Sequence, residues 1–328
     1  MTYNDGRDRY ECVCGFMGPN SISICPSPGQ NVAVMSPEEI DTMYETTVTA
    51  ASRVVAKFQK KKEVPKANGK GTTTVYVYSE KQIAERNKAK ADRLEKLSGK
   101  IHKIRAQVKK DLKSKDQKTA LTALAVALMD ATAERVGSEA SAKGDLNDKG
   151  EAHFGVTTWK TKHITFNGSS ATIKYTGKSG VKHEKKVTDS AIVSALKKAH
   201  ETCKDGGIFC TEDGKITGST VNDYLKDFDI TAKDLRGFHA NADMREALKK
   251  ARSKGGKLLE DKKEREKQLK DEFKEALEEV ADDVGHEPST LKNQYLTPGL
   301  EDTFLKDGTV MKGMKEASII YRFKAISR

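Results

Sequence analysis

A chain of 328 residues is long enough for two cores, and its formal net charge of +11, its one-third share of charged residues and its 6% aromatic content mark a soluble, basic protein. The charge surplus favours a polyanionic partner, nucleic acid first. No apolar run approaches membrane-spanning length, so no membrane association is expected. The polar N-terminus lacks the apolar stretch of a secretory signal, so an intracellular protein is expected.

The five cysteines are Cys12, Cys14, Cys25, Cys203 and Cys210. An odd count without a secretory signal argues against a disulfide framework and for a reducing compartment. Cys12, Cys14 and Cys25 lack a nearby histidine, the usual C-x₂₋₄-C spacing and a fourth ligand. They read as free thiols, and no metal is expected.

Residues 1 to about 40 are rich in Gly, Pro and Ser and read as loops, with a strand at 31–35. Ser36, Pro37 and Glu39 form a helix start, with an N-cap, a proline in the first turn and a capping-box glutamate, and that helix runs to about 58. A basic loop follows at 60–71, then a strand at 72–78 (TTTVYVY). A long helix is expected over 80–113, where Leu94, Leu97, Ile101, Ile104, Val108 and Leu112 step by three or four along one face. From Arg53 to Lys115 there are 20 Lys or Arg against 6 Asp or Glu, a local surplus larger than that of the whole chain. Such a run is often only a solvated helix face. Concentration of the entire surplus in one stretch favours a stripe that neutralises backbone phosphates.

A second helix, 119–136, is apolar on most sides and reads as central to a helical core, stopped at Arg135-Val136-Gly137. Strands are expected at 155–159, 163–167, 172–176 and 181–187. Asn167-Gly168 makes one hairpin turn, and Gly177-Lys178-Ser179-Gly180 makes the next, with Lys178 at its tip. Helices are then expected at 189–203, 219–227 and 231–251, the last opened by Thr231 and Asp234 with Arg236 in its second turn. Lys254-Gly255-Gly256 reads as a hinge and 257–284 as a charged helix laced with i,i+4 pairs. Gly285 ends it, and a short helix opened by Pro288 and Ser289 carries Tyr295, nine positions after His286. The tail 300–328 receives no role.

Five of these segments, in this order, resemble the type IB DNA topoisomerases, specifically the small form found in poxviruses, bacteria and some archaea. They are Arg135-Val136-Gly137; Gly155-Val156-Thr157-Thr158-Trp159 with His163-Ile164; Gly177-Lys178; Lys233-Asp234-Leu235-Arg236; and Gly285-His286-x-Pro288-Ser289 with Tyr295. Upstream, Tyr76-Val77-Tyr78 and Glu85-Arg86-Asn87-Lys88 look like the family's strand and linker helix. The resemblance covers about 64 to 300. Residues 1 to about 60 do not look like the β-rich domain with which the family usually begins.

The resemblance implies an α+β protein. A small mixed N-terminal, DNA-clamping module (1–79) would precede a mainly α-helical catalytic domain (80–328) that includes the basic linker helix 80–113 and carries a small antiparallel sheet. It implies relaxation of supercoiled double-stranded DNA by a monomer, without cofactor, ATP or required metal. Tyr295 would be the nucleophile, forming a 3′-phosphotyrosyl link. A phenol titrates near about 10 and needs nearby positive charge or a proton acceptor to attack. Arg135 and Arg236 would hold the non-bridging oxygens with always-charged, forked donors. His286 would donate to another oxygen, and Lys178 would protonate the leaving 5′-oxygen. DNA contacts would come from Lys233, Tyr76, Tyr78, Arg86 and Lys88.

Taken singly, each residue has an ordinary reading: Arg135 as a helix-end cation, Lys178 as a turn lysine, Arg236 as the partner of Asp234, His286 as a loop histidine, Tyr295 as a core tyrosine. His153, His163, His183 and His239 read as structural or surface residues and Trp159 as core. Two other functions share the scaffold. Tyrosine recombinases usually carry His-x-x-Arg where this chain has Lys233-Asp234-Leu235-Arg236. A non-catalytic DNA-binding protein would have no use for the intact five-residue set.

Overall fold

The computed structural model describes residues 2–4, 9–11, 17–19, 59–65, 72–77, 80–144, 150–203 and 206–310. The strand expected at 31–35, the helix at 36–58, Cys12, Cys14, Cys25, Tyr78 and the tail beyond 310 lie outside them. The chain divides into two units, Met1–Arg86 and Asn87–Arg328.

The first unit contains a five-stranded sheet in the order β3-β2-β1-β4-β5. Its strands are β1 (Thr2–Asn4), β2 (Arg9–Glu11), β3 (Met17–Pro19), β4 (Gln59–Pro65) and β5 (Thr72–Val77). β1 runs antiparallel to β2 and parallel to β4, and β4 pairs antiparallel with β5 from Lys60↔Val77 to Pro65↔Thr72. The expectation of loops at 1–40 and 60–71 is corrected at 2–4, 9–11, 17–19 and 60–65. Strands of three residues are too short to show a period-two pattern, and β4 (QKKKEVP) has no apolar alternation to betray it. Its partner β5 supplies the β-branched signal for both.

A long helix, α1 (Glu80–Asp111), follows where one was expected. In the second unit its Leu94, Leu97, Ile101, Ile104 and Val108 are buried, each side chain contributing about 1.5–3 kcal/mol. Its basic face is only partly free. Arg93 Nε donates to Asp234 (3.1 Å), and Lys100 Nζ to Asp229 (2.9 Å) and the Phe228 carbonyl (3.2 Å). Arg105 grips Asp130 through Nε (2.7 Å) and Nη2 (3.1 Å).

The central helix α2 (Gln117–Thr132) is capped by Asp116, which accepts from the Thr119 amide at 2.8 Å. It ends four residues before the expected stop. Ala133 is left-handed (φ 56°) and its N–H returns to Met129 O. The carbonyls of Arg135 and Val136 accept instead from the amides of Val156 and Thr157, each at 2.8 Å. Gly155 permits this approach, since a Cβ there would sit 2.6 Å from the Arg135 oxygen. The same bonds overrule the strand propensity of 155–159, which forms a 3₁₀ turn at Val156–Thr158.

A short helix, α3 (Glu139–Lys143), precedes an antiparallel three-stranded sheet of β6 (Ile164–Asn167), β7 (Ser170–Thr176) and β8 (Lys182–Val187). The hairpin turns fall at Asn167-Gly168 and at 177–180, as expected. β8 alternates, burying His183, Lys185 and Val187. The remaining elements are α4 (Ser190–Thr202), a small hairpin of β9 (Cys210–Thr211) and β10 (Gly214–Lys215), α5 (Gly218–Lys226), α6 (Ala232–Lys254), α7 (Lys262–Asp283), α8 (Pro288–Gln294) and α9 (Leu300–Asp307). The architecture is mostly helical with a small antiparallel sheet. The structure pairs Cys203 with Cys210 (Cα–Cα 5.9 Å), a local disulfide between the end of α4 and β9. The sequence reading argued only against a disulfide framework, and a seven-residue separation across one loop gives no framework pattern to read.

Two apolar clusters fill this unit. One gathers α1, α2, the three-stranded sheet, α4 and α5 and includes Leu235 and Phe238 of α6. The other joins the rest of α6 to α7, α8 and α9 and includes Tyr295. A polar tie links α1, α2 and α6: Asp130 accepts from Arg105 and from His239 Nε2 (2.8 Å). Burial opposes ionisation of Asp130, but the hydrogen bonds and charges of His239 and Arg105 outweigh it and hold the carboxyl below the usual range. No described helix is long and apolar enough to cross a membrane.

Replacing Asp130 with Ala removes the carboxylate shared by the Arg105 guanidinium and the buried His239 imidazole. Urea unfolding is expected to show a loss of about 2–4 kcal/mol, with Asp130→Asn losing less.

Candidate active site

Five side chains named from the sequence line one open cleft of about 400 Å³: Arg135, Lys178, Lys233, His286 and Tyr295. Arg135 comes from the extended segment after α2, Lys178 from the tip of the β7–β8 hairpin, and Lys233 from the first turn of α6. His286 lies in the turn after α7, and Tyr295 is the C-cap of α8. Arg236 is placed differently. It is buried (3% exposed) behind the tyrosine, with its guanidinium 5.7 Å from the Tyr295 ring centroid. One of its nitrogens donates to the Val284 carbonyl. Its Nε and Nη1 have no hydrogen-bond partner among the described residues. Burial, then the Arg135 charge, lower its pKa from the ordinary guanidinium value.

The tyrosine ring sits among cations. Lys233 Nζ is 5.8 Å from its centroid and the His286 ring 4.6 Å. Tyr295 is 6% exposed, so its approach to a substrate is set by its backbone. That backbone is pinned by Asn241, whose amide donates to the Tyr295 carbonyl and accepts from the Thr297 N–H, both at 2.8 Å. Asn241 lies on α6, five residues after Arg236, and is fully buried. Sequence reading missed it. A buried amide in a helix interior is the signal, but burial is not visible in one sequence.

His286 receives the Arg135 guanidinium at Nδ1 (3.0 Å), with Nε2 at 3.3 Å. Arginine only donates, so the imidazole is the acceptor in this contact. Burial, then Arg236, Arg135 and Lys178, push the imidazole down to about 3. At neutral pH it is an uncharged donor.

Of the other DNA-contact candidates, Tyr76 and Arg86 belong to the first unit, and Lys88 is not among the residues lining this cleft. Tyr76 lies in β5 opposite Lys61, and Arg86 and Lys88 are exposed on α1. Lys90 was missed. It is on the same helix, and burial followed by the Lys233 charge lowers its pKa, which places it near the first turn of α6. Beneath the cleft, Glu134 accepts from Tyr175 Oη and from His183 Nδ1 (2.8 Å). Among the described residues no group of three or more His, Cys, Asp or Glu is arranged to hold a metal ion.

The family described as "Eukaryotic DNA topoisomerase I, catalytic core" matches residues 79–306. This chain therefore belongs to the topoisomerase I catalytic-core family. No match was found among curated proteins. Among solved structures, the chain is similar to the XerH site-specific recombinase bound to difH substrate in a pre-cleavage complex, at 16% identity and a TM-score of 0.36, over 58% of this chain and 47% of that one. The XerH post-cleavage complex with palindromic difH gives 16% identity, a TM-score of 0.36, and coverage of 62% and 47%. The chain thus spans about half the length of the recombinase chains it matches.

An imidazole held near 3 when folded, against 6.5 in an unfolded chain, binds its proton first in the unfolded state. Stability is therefore unaffected above about pH 6.5 and falls as the pH drops from there toward 3. His163, lowered to about 4 by burial, then Lys162 and Lys160, adds to the same slope. Urea midpoints between pH 7 and pH 4 are expected to fall, and His286→Gln to make the fall roughly half as steep.

Proposed function

We propose that this protein is a type IB DNA topoisomerase, an isomerase that relaxes supercoiled double-stranded DNA by transient cleavage of one strand. The observation that carries the reading is the meeting of Tyr295 with Arg135, Lys178, Lys233 and His286 in one cleft, with Arg236 directly behind the tyrosine ring. The phenolic oxygen of Tyr295 attacks a backbone phosphorus and gives up its proton to water in the open cleft. The bond from phosphorus to the 5′-oxygen breaks, and that oxygen takes a proton from Lys178 to leave as an alcohol. One phosphoester is exchanged for another, so religation is the same step reversed and needs no ATP. Arg135, Arg236 and His286 stabilise the charge that grows on the non-bridging oxygens. Arg236 is suited to this by its two unpartnered buried donors. Lys233 supports the scissile phosphate, and the exposed Arg86 and Lys88 of α1 contact the backbone of the duplex. The protein acts as a monomer on intracellular DNA, and the guanidinium and lysine set makes a metal unnecessary.

Supercoiled plasmid incubated with the protein in EDTA without ATP is expected to relax. Tyr295→Phe is expected to abolish relaxation and the covalent protein–DNA adduct trapped by SDS. Relaxation by Tyr295→Phe at the parental rate would remove Tyr295 from the chemistry. Strand exchange between specific sites without relaxation would place the chain with the recombinases, and duplex binding with neither would leave a non-catalytic binder. Arg236→Ala is expected to slow relaxation by about 10²–10³-fold, the usual loss when one oxyanion donor is removed. Duplex affinity is expected to fall steeply between 50 and 200 mM salt, because phosphate contacts release counterions (roughly 10³-fold for six contacts).

A further inference from the structure

Three of the cleft residues are each the immediate chain neighbour of a residue that touches one buried pair. Glu134 precedes Arg135, Gly177 precedes Lys178, and Gly285 precedes His286. The pair is Glu134 and His183, joined at 2.8 Å through Nδ1, with both side chains almost wholly buried. The His183 ring fills the space between the two glycines. A methyl on Gly177 would lie 2.6 Å from its Nε2, and one on Gly285 would lie 2.2 Å from its Cε1. Tyr175 stacks on the other side of the ring, centroids 4.9 Å apart and 11° from parallel, and donates to Glu134. Lys185, one inward position further along β8, ties the same strand to the end of α7 by donating to Asp283 Oδ1 at 3.0 Å.

We propose that Glu134 and His183 are positioning residues that set the spacing of Arg135, Lys178 and His286, on the transesterase reading given above. The ring is a spacer wedged between the hairpin that carries Lys178 and the turn that carries His286. The carboxylate anchors that spacer to the segment that carries Arg135. Consecutive Cα atoms are about 3.8 Å apart, so a displaced ring moves the three cationic or donor groups almost one for one. Burial opposes the Glu134 charge, but His183, then Lys185 and the Tyr175 hydroxyl, hold the carboxyl ionised. It therefore also puts a fixed negative charge under a cluster of like charges, where it favours the charged form of Arg236.

His183→Ala is expected to slow plasmid relaxation and SDS-trapped adduct formation by about 10–100-fold, the loss typical of catalytic groups displaced by an ångström. Duplex binding in a gel shift is expected to stay within about twofold of the parent, because most phosphate contacts lie elsewhere. His183→Asn keeps a donor where Nδ1 donates and is expected to return to within about fivefold of the parent. Gly177→Ala places a methyl against the ring at a backbone conformation (φ −89°) open to any residue, and is expected to slow relaxation by about tenfold. In the His183→Ala background the same methyl is expected to cost nothing more, since its obstacle is gone. Melting curves accompany each variant, and if His183→Ala fails to fold, Gly177→Ala and His183→Asn carry the test. Independent, multiplying effects of Gly177→Ala and His183→Ala would overturn the proposal. So would parental rates in a folded His183→Ala or Gly177→Ala protein. A parent that relaxes nothing and forms no adduct would instead overturn the underlying transesterase reading, and the pair would then have no reaction to position.

Discussion

Mutual repulsion among cations is the constraint on which this structure turns. Arg135, Lys178 and Lys233 face one cleft, and Arg236 is buried within reach of it. Removing the Arg236 guanidinium from water costs several kcal/mol unless fixed dipoles or opposite charges replace the solvent. The chain supplies replacements of three kinds. The Val284 carbonyl accepts from Arg236, the Tyr295 ring lies over its guanidinium, and the carboxylate of Glu134 sits below. His286 removes itself from the sum by staying neutral, pushed down to about 3 by burial and by the same cations. What stays unmet, the Nε and Nη1 of Arg236, is donor capacity suited to an anion.

α6 is the beam that carries this arrangement. Its average composition is polar, yet Asp234, Arg236, His239, Asn241 and Arg245 are all buried, and both apolar clusters pack against it. Asp234 caps its N-terminus and receives Arg93 of α1. His239 meets Asp130 of α2, and Asn241 holds the backbone around Tyr295. One rigid helix thus fixes the buried guanidinium relative to the phenol. Precise placement of that kind comes more readily from a helix than from loops.

The basic surplus read from the sequence divides into two jobs. Arg93, Lys100 and Arg105 hold α1 against α6, the turn between α5 and α6, and α2. Others, such as Lys88, are exposed on α1. Charge counting alone cannot separate the two, because pairing depends on which acidic residue a neighbouring helix presents.

The sequence by itself determined the order and kind of most elements in the second unit, because period, caps and turn residues are local. Leu94 to Val108 announced α1, Asn167-Gly168 the hairpin, and Pro288 the start of α8. The match to a family of known chemistry was legible too, since its motifs stand in one order along the chain. Tertiary structure alone decided where α2 stops, since the carbonyls of Arg135 and Val136 are claimed by amides some twenty residues away. It alone made strands of 59–65, through backbone pairing that leaves no side-chain pattern. It alone set His183, read from the sequence as structural or surface, against Gly177 and Gly285, and Asn241 against Tyr295. Contacts between distant segments depend on burial and approach, and neither is a local property of a sequence.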